Sequence, residues 1–303
     1  MIQTVTGNID KDQLGYTLAH EHLILDLSHI RNDTDSILDD IELIVSELEQ
    51  AKATGLHSIV DVTNIGMGRD ILKLAMISRI TGLNVIASTG YYQEQYYTND
   101  LKSKKTEEIA KIFINELTVG VEGTVHRAGV IAEIGSSNSQ ITKEECKVFH
   151  AAALASRETG ASIITHCEQG TMALEQVELF RKAHLPMNSI LIGHMDLVND
   201  LNYIKRVLET GVSIAFDTIG KIRYVLDEHR IEKLMTLLEL GYEDHIILSL
   251  DISRKSYLKG YGGHGYSYMF DSFMPRLKGY GVSDDVIYKL MNKNISGVLN
   301  LEK

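Results

Sequence analysis

Short apolar runs alternate along the chain with longer segments in which apolar residues recur every three to four positions. Short β-branched runs are typical of buried strands, and the three-to-four spacing is typical of amphipathic helices. The pattern predicts eight strands, ending near His22, Asp61, Gly90, Glu133, His166, His194, Asp217 and Asp251. It also predicts eight helices, at about 36–54, 69–81, 104–118, 142–159, 171–184, 200–210, 228–241 and 283–300.

The first predicted helix, 36–54, has a clear apolar stripe. Asp35 or Ser36 is expected to cap its start and Gly55 its end, because short polar side chains favour N-caps and glycine favours C-terminal positions. The stripe consists of Ile37, Ile41, Ile44, Leu48 and Ala51.

The alternation of strands and helices indicates repeated βαβ units with right-handed crossovers. Eight such units fit a (β/α)8 TIM barrel better than an open doubly wound sheet. A dinucleotide-binding fold is disfavoured, since no Gly-x-Gly-x-x-Gly motif follows the first strand. Neither a linker nor a low-complexity segment divides the chain, and its prolines are only Pro186 and Pro275. We therefore expect residues 1–303 to form one α/β barrel domain.

The net charge of −11 on 303 residues disfavours nonspecific binding to nucleic acid or to anionic membranes. The sequence contains no run of about 18 apolar residues, so we expect no membrane span. Cys146 and Cys167 lack zinc-finger spacing, and the N-terminus lacks the features of a secretory signal. These features favour reduced thiols and a cytoplasmic location.

The polar residues at the predicted strand ends suggest a metal site. In (β/α)8 barrels the functional groups lie at the carboxyl ends of the strands. Along a strand, His20 and His22 face the same way, so both can point into the barrel mouth while Glu21 points outward. Imidazole and carboxylate ligands together suit zinc or a similar divalent metal. The candidate ligands are His20, His22, Glu133, His166, His194 and Asp251.

Each of these residues also has a purely structural interpretation. A single His or Asp at a strand end is more often capped or hydrogen-bonded than metal-bound, but coincidence over five strand ends favours a metal site. Asp61 and Asp217 also end strands, and for them a structural role is favoured over support of the ligands. Tyr91, just after the third strand, is equally suited to donating a hydrogen bond to substrate and to packing at the rim.

The loops after strands seven and eight are basic and aromatic in an otherwise acidic chain. Lys221 and Arg223 lie on loop seven, and Arg254 and Tyr257 lie on loop eight. Barrel enzymes often bind phosphate around these loops, and the arginine fork matches phosphate oxygens. From the residues alone, a solvated loop with scattered cations is an equally good interpretation.

Several motifs resemble the phosphotriesterase family of the amidohydrolase superfamily. They lie at 15–23, 87–92, 132–136, 165–166, 193–194 and 250–251. The resemblance runs from about residue 5 to the C-terminus. It implies that His20, His22 and Asp251 bind a buried metal, that His166 and His194 bind an exposed one, and that a strand-four residue bridges both. Well-known members use a carboxylated lysine there, whereas this chain has Glu133 and no lysine from 129 to 142.

The resemblance also implies an activity. Two divalent cations, with zinc favoured over manganese or cobalt, would activate a bridging hydroxide, and Asp251 would carry its proton to the leaving group. Relatives with Arg-x-x-Tyr after the strand-eight aspartate resemble phosphorylated sugar lactonases, and Arg254 and Tyr257 fit that spacing. We therefore expect hydrolysis of an aldono-1,4-lactone 5-phosphate by a protein that forms a homodimer. The alternatives are a phosphotriesterase, an unphosphorylated-lactone hydrolase and a non-catalytic ligand-binding barrel.

Overall fold

The computed structural model describes residues 1–299, and within them eight parallel strands form one sheet whose order follows the chain. The strands are β1 (Thr17–Glu21), β2 (Ser58–Asp61), β3 (Asn84–Thr89), β4 (Val130–Ser136), β5 (Ile163–Cys167), β6 (Ile190–Ile192), β7 (Ser213–Phe216) and β8 (Ile246–Leu248). The amide of Asp251, just after β8, donates to the carbonyl of His20 at 3.0 Å, which brings the last strand beside the first. The predicted (β/α)8 barrel is confirmed.

Helices cover the outside of the barrel. The crossover helices are α1 (Ile41–Ala53), α2 (Ile71–Thr81), α3 (Thr106–Thr118), α4 (Lys143–Thr159), α5 (Ala173–Lys182), α6 (Leu201–Leu208) and α7 (Asp227–Glu239). After β8 come the helices Met274–Gly279, Asp284–Tyr288 and Asn294–Leu299, with π-helical segments Met269–Phe273 and Lys289–Lys293. The helix predicted over 283–300 is thus interrupted by a π segment, and its last residue lies outside the described range. No helix within residues 1–299 is long and apolar enough to cross a membrane.

The predicted start of the first helix was wrong. The segment Ile37–Leu38 is extended because it pairs antiparallel with Leu25–Asp26. Helix α1 therefore begins at Ile41, and Asp40 caps it by accepting a hydrogen bond from the amide of Leu43 at 3.0 Å. Its C-cap is Thr54, and Gly55 follows with φ of 124°, a conformation that favours glycine.

Strand irregularities aim the polar residues into the barrel mouth. Small and branched side chains fill the barrel interior, among them Ala19, Val60, Ile86, Val130, Ala132, Ile164, Leu191, Ala215 and Ile247. In β4 the pairing register shifts between Ile131 and Ile134, so Glu133 faces the site next to the interior Ala132. Strand β4 continues to Ser136, beyond its predicted end. A similar shift in β1 lies between Leu18 and Glu21, around His20.

Candidate metal centre and substrate cavity

The six predicted ligands converge at the carboxyl ends of the strands. Their ligand atoms form three overlapping groups, within each of which the atoms lie within 4.8 Å of one another. The groups are His20, His22 and Glu133; His20, His194 and Asp251; and Glu133, His166 and His194. All six residues are buried. His194 and Asp251 lie just beyond β6 and β8 and have φ of 60° and 51°, a rare conformation for residues with a side chain.

Glu133 lies at the centre of the cluster. Its Oε1 is 2.8 Å from His166 Nδ1, 3.3 Å from His20 Nε2 and 3.4 Å from His194 Nε2. Burial disfavours the charge of this carboxyl, but the imidazoles of His166 and His20 hold its pKa well below the usual range. A single carboxylate that lies among His20, His166 and His194 suits a ligand that bridges two cations.

Asp217 supports two of the histidines from behind. Its Oδ1 lies 2.8 Å from His194 Nδ1 and accepts from the His194 amide at 2.9 Å. Its Oδ2 lies 2.9 Å from His20 Nδ1. Such partners fix the tautomer and orientation of a ligand ring. Asp217 therefore supports the cluster, whereas Asp61 accepts from the amides of Leu23 and Thr63 and holds the chain after β1.

The two other histidines are oriented by residues that the sequence patterns did not identify. His22 Nδ1 lies 2.8 Å from Thr63 Oγ1, and His166 Nε2 lies 3.0 Å from Glu168 Oε2. Gln93 in turn donates to Glu168 Oε2 at 3.0 Å. Thr63 lies two residues beyond Asp61, and Glu168 lies two residues beyond His166. This closeness in sequence to a strand-end residue was the only signal that could have identified them.

Glu21 points away from the cluster as predicted, but it is fully buried rather than outward. Its carboxylate accepts hydrogen bonds from the amides of Leu250 and Ile252, both at 2.8 Å, and from the hydroxyl of Ser249 at 2.7 Å. These hydrogen bonds lower the pKa of Glu21, but burial outweighs them and raises it to about 7. Glu21 thus fixes the backbone on both sides of Asp251.

The residues present fit a pair of divalent cations. His20 Nε2 is buried and lies 3.3 Å from Glu133 Oε1, but within residues 1–299 it forms no hydrogen bond of normal geometry, although buried polar atoms are normally paired. It points at a cluster of imidazole and carboxylate groups, which are the ligands that zinc and related metals bind. Following the family resemblance, we propose that His20, His22 and Asp251 form the deeper position and that His166 and His194 form the outer one.

The metal-free protein is expected to lose stability as the pH rises. Burial disfavours protonation of His20, but Asp217 and Glu133 outweigh it and raise the pKa of His20 from 6.5 to about 10. A raised folded-state pKa contributes stability that is fully present below the unfolded pKa and is lost as the pH rises through the folded one. Urea midpoints with chelator present should therefore fall between about pH 6.5 and 10.

Saturating zinc should flatten this decline, because a cation takes the place of the proton. Parallel profiles with and without zinc would contradict the assignment of His20 to the metal centre.

A cavity of about 260 Å³ opens over the cluster. Two of the predicted substrate-binding cations line it. Lys221 is buried, forms an ion pair with Asp251 and places its Nζ 5.0 Å from the ring centroid of Tyr257. Arg254 forms ion pairs with Asp33 and Asp35.

The other predicted substrate-binding residues lie elsewhere. Tyr91 is buried against Phe113 and Tyr97, with ring centroids 5.8 and 6.0 Å away, and does not line the cavity. Its neighbour Tyr92 does, with its hydroxyl 3.2 Å from His166 Nε2. Arg223 is exposed outside the cavity lining, and Tyr257 lies behind Lys221.

A (β/α)8 barrel that gathers four histidines and two carboxylates beneath a polar cavity defines the protein as a metal-dependent hydrolase. The chain belongs to the Phosphotriesterase family, whose sequence profile matches residues 1–299. Members of this family depend on a binuclear metal centre. The family membership and the enzyme class predicted from the sequence are both confirmed.

Relatives are similar over nearly their whole length. The chain is 40% identical to the phosphotriesterase homology protein of Escherichia coli over 94% of this chain and 98% of that one. The crystal structure of the E. coli protein, complexed with phosphate in its active site, has a TM-score of 0.94 at 39% identity, covering 95% of this chain and 100% of the other. The structure of a lactonase from Listeria monocytogenes has a TM-score of 0.95 at 32% identity, covering 100% of this chain and 99% of the other. A phospho-furanose lactonase of Mycoplasmopsis synoviae is 31% identical over 99% of this chain and 92% of that one.

Proposed function

We propose that the protein hydrolyses a phosphorylated sugar lactone, an aldono-1,4-lactone 5-phosphate, with two divalent cations, zinc being favoured. The observation that carries this proposal is a small cavity with a metal-type cluster as its floor and Lys221 and Arg254 in its walls. The relatives described as lactonase and phospho-furanose lactonase, and the phosphate in the E. coli protein, support the same substrate class.

The residues of this chain have distinct roles in the proposed reaction. When bound, the two cations supply an activated water and polarise the ester carbonyl. Glu133 and the four histidines hold the metal positions, and Asp217, Thr63 and Glu168 fix the ring orientations. Asp251 lies at the cavity floor, and Lys221 keeps its pKa low despite burial, so the carboxylate is charged at neutral pH. In the proposed reaction it accepts a proton from the attacking water. It then returns the proton to the leaving alkoxide.

One observation favours a second candidate, the hydrolysis of an unphosphorylated lactone or an organophosphate ester. Part of the cavity wall is apolar and is formed by Leu25, Leu27, Met67 and Leu197. Such a wall can accept a hydrocarbon substituent. The two candidates differ in whether substrate phosphate contributes to recognition.

Phosphorylated lactones are expected to be hydrolysed with kcat/KM roughly 10–100-fold above that of their unphosphorylated counterparts. Hydrogen bonds to charged groups contribute about 1.5–3 kcal/mol, which corresponds to this range. The test is steady-state hydrolysis of both series by zinc-loaded protein. Equal kcat/KM for the two series would refute phosphate recognition, and a preference for apolar lactones would favour the second candidate.

A further inference from the structure

The side chain of Asn64 joins the segment after β2 to the backbone of β4 around Glu133. Asn64 is fully buried. Its Nδ2 donates hydrogen bonds to the carbonyl oxygens of Ala132 and Glu133, both at 3.1 Å. One amide nitrogen carries the two hydrogens that these bonds need, and a carbonyl oxygen can only accept. The two contacts therefore also fix which end of the amide faces β4.

The two carbonyls belong to the irregular stretch of β4. Between Ile131 and Ile134, β4 has one residue more than the facing part of β5. Such a bulge disrupts the hydrogen bonding between the strands and changes the direction of the side chains within it. Ala132 lies in the barrel interior, and Glu133 lies in the metal-type cluster. The direction of the Glu133 side chain therefore depends on what holds this stretch of backbone.

The segment that carries Asn64 is itself fixed to β3, which lies between β2 and β4 in the sheet. The amide of Ile65 donates to the carbonyl of Gly90 at 3.2 Å, and the hydroxyl of Ser88 donates to the carbonyl of Thr63 at 3.0 Å. Both sequence neighbours of Asn64 are thus held in place. Asn64 contacts β4 from a backbone that is already fixed.

We propose that Asn64 is a positioning residue that directs the carboxylate of Glu133 between the two metal positions. This inference rests on the proposed function, because it takes Glu133 as a metal ligand. Asn64 acts through the backbone of Glu133 and is not itself a ligand. Its neighbour Thr63 lies against the ring of His22, so the segment after β2 supports candidate ligands from both β1 and β4.

A purely structural role is the competing explanation, since buried carbonyl groups are normally hydrogen-bonded wherever they lie. Asn294 offers a matched comparison. Its Nδ2 also donates to two backbone carbonyls, those of Glu243 and Ile246, both at 2.7 Å, but at the amino end of β8. Replacing either asparagine removes two hydrogen bonds from the backbone, and of the two only Asn64 binds next to a candidate ligand.

The experiment measures zinc binding to the parent protein, Asn64→Ala and Asn294→Ala by competition with a chromophoric chelator. Partners that orient metal ligands typically contribute about 10–100-fold in metal affinity. Asn64→Ala should weaken the binding of the second zinc ion by roughly that factor. Asn294→Ala should lower the urea midpoint to a similar extent while keeping the zinc affinity of the parent protein.

Two further variants make the result specific. Asn64→Ser keeps one donor on a shorter side chain, so its effect should be intermediate, and it takes the place of Asn64→Ala if that variant does not fold. In a Glu133→Ala background there is no carboxylate to position. Adding Asn64→Ala to that background should leave the affinity for the remaining zinc unchanged, because the two substitutions act on one interaction.

Unchanged zinc affinity in both Asn64 variants would overturn the proposal. So would an equal loss in Asn294→Ala, since the effect would then follow stability alone, or an equal factor in the Glu133→Ala background. Failure of the proposed function has a different signature. A parent protein that binds zinc but hydrolyses no lactone refutes the proposed substrate, and the zinc measurements still decide the role of Asn64. A parent protein that binds no zinc refutes both.

Discussion

Replacing Glu133 by alanine is expected to leave fewer than two metal ions bound per chain and to lower kcat by roughly 10³-fold. This is the upper end of the range seen when one electrostatic catalytic group is removed. The carboxylate lies between His20, His166 and His194, at 2.8 to 3.4 Å from a nitrogen of each. Without it, the imidazoles of the two proposed positions lose their common anionic ligand. The metal content after gel filtration and kcat under saturating lactone measure the two effects.

Two further variants make the Glu133 result specific. Glu133→Gln keeps the volume but removes the charge, and it should resemble Glu133→Ala in metal content. Glu158→Ala removes an exposed carboxylate of α4 and should bind metal and turn over like the parent protein. A Glu133→Ala protein with two metal ions and undiminished kcat would refute the bridging role.

The second large effect is expected at Asp251, whose replacement by asparagine should lower kcat by roughly 10²–10⁴-fold with a smaller change in KM. The amide cannot accept the proton that the carboxylate takes and returns. This substitution also leaves Lys221 buried without its counter-ion. Breaking a buried pair in this way destabilises proteins by about 3–5 kcal/mol.

The double variant Asp251→Asn, Lys221→Met separates the stability effect from the catalytic one. Methionine removes the unpaired charge and fills similar volume, so the urea midpoint should recover much of what Asp251→Asn lost. The catalytic defect should persist, because proton transfer is still missing. Recovery of kcat together with stability would mean that Asp251 serves only to hold Lys221.

The candidate ligands could be located from the sequence because strand ends are a local pattern. His20 and His22 are two apart on one strand, and Glu133, His166 and His194 each follow a β-branched run. The parallel sheet then brings distant segments together by geometry alone. The register shift in β4 was not visible in the sequence pattern. The sequence therefore identified Glu133 as a candidate ligand without showing how β4 orients its side chain.

The supporting contacts could not be predicted, because they depend on side chains that meet only after folding. Glu21 binds amides more than two hundred residues away, and Asp217 reaches two rings at once. The candidate substrate-binding residues were the least well predicted. Lys221 and Arg254 were identified by charge as candidates and do line the cavity, but charge alone does not reveal a carboxylate partner. The start of α1 was missed since strand pairing with Leu25–Asp26 overrides local helical periodicity.

The hydrogen bonds of Glu21 to Leu250 and Ile252 also set an order of events during biosynthesis. They span 229 and 231 positions, and Asp251 lies between the two amides. A chain still on the ribosome can present His20 and His22 early, but Asp251, the third proposed ligand of the deeper position, is added only after more than two hundred further residues have been made. The complete deeper position therefore forms after β8 docks beside β1. We therefore expect metal insertion into this proposed position to be coupled to the last stage of barrel assembly.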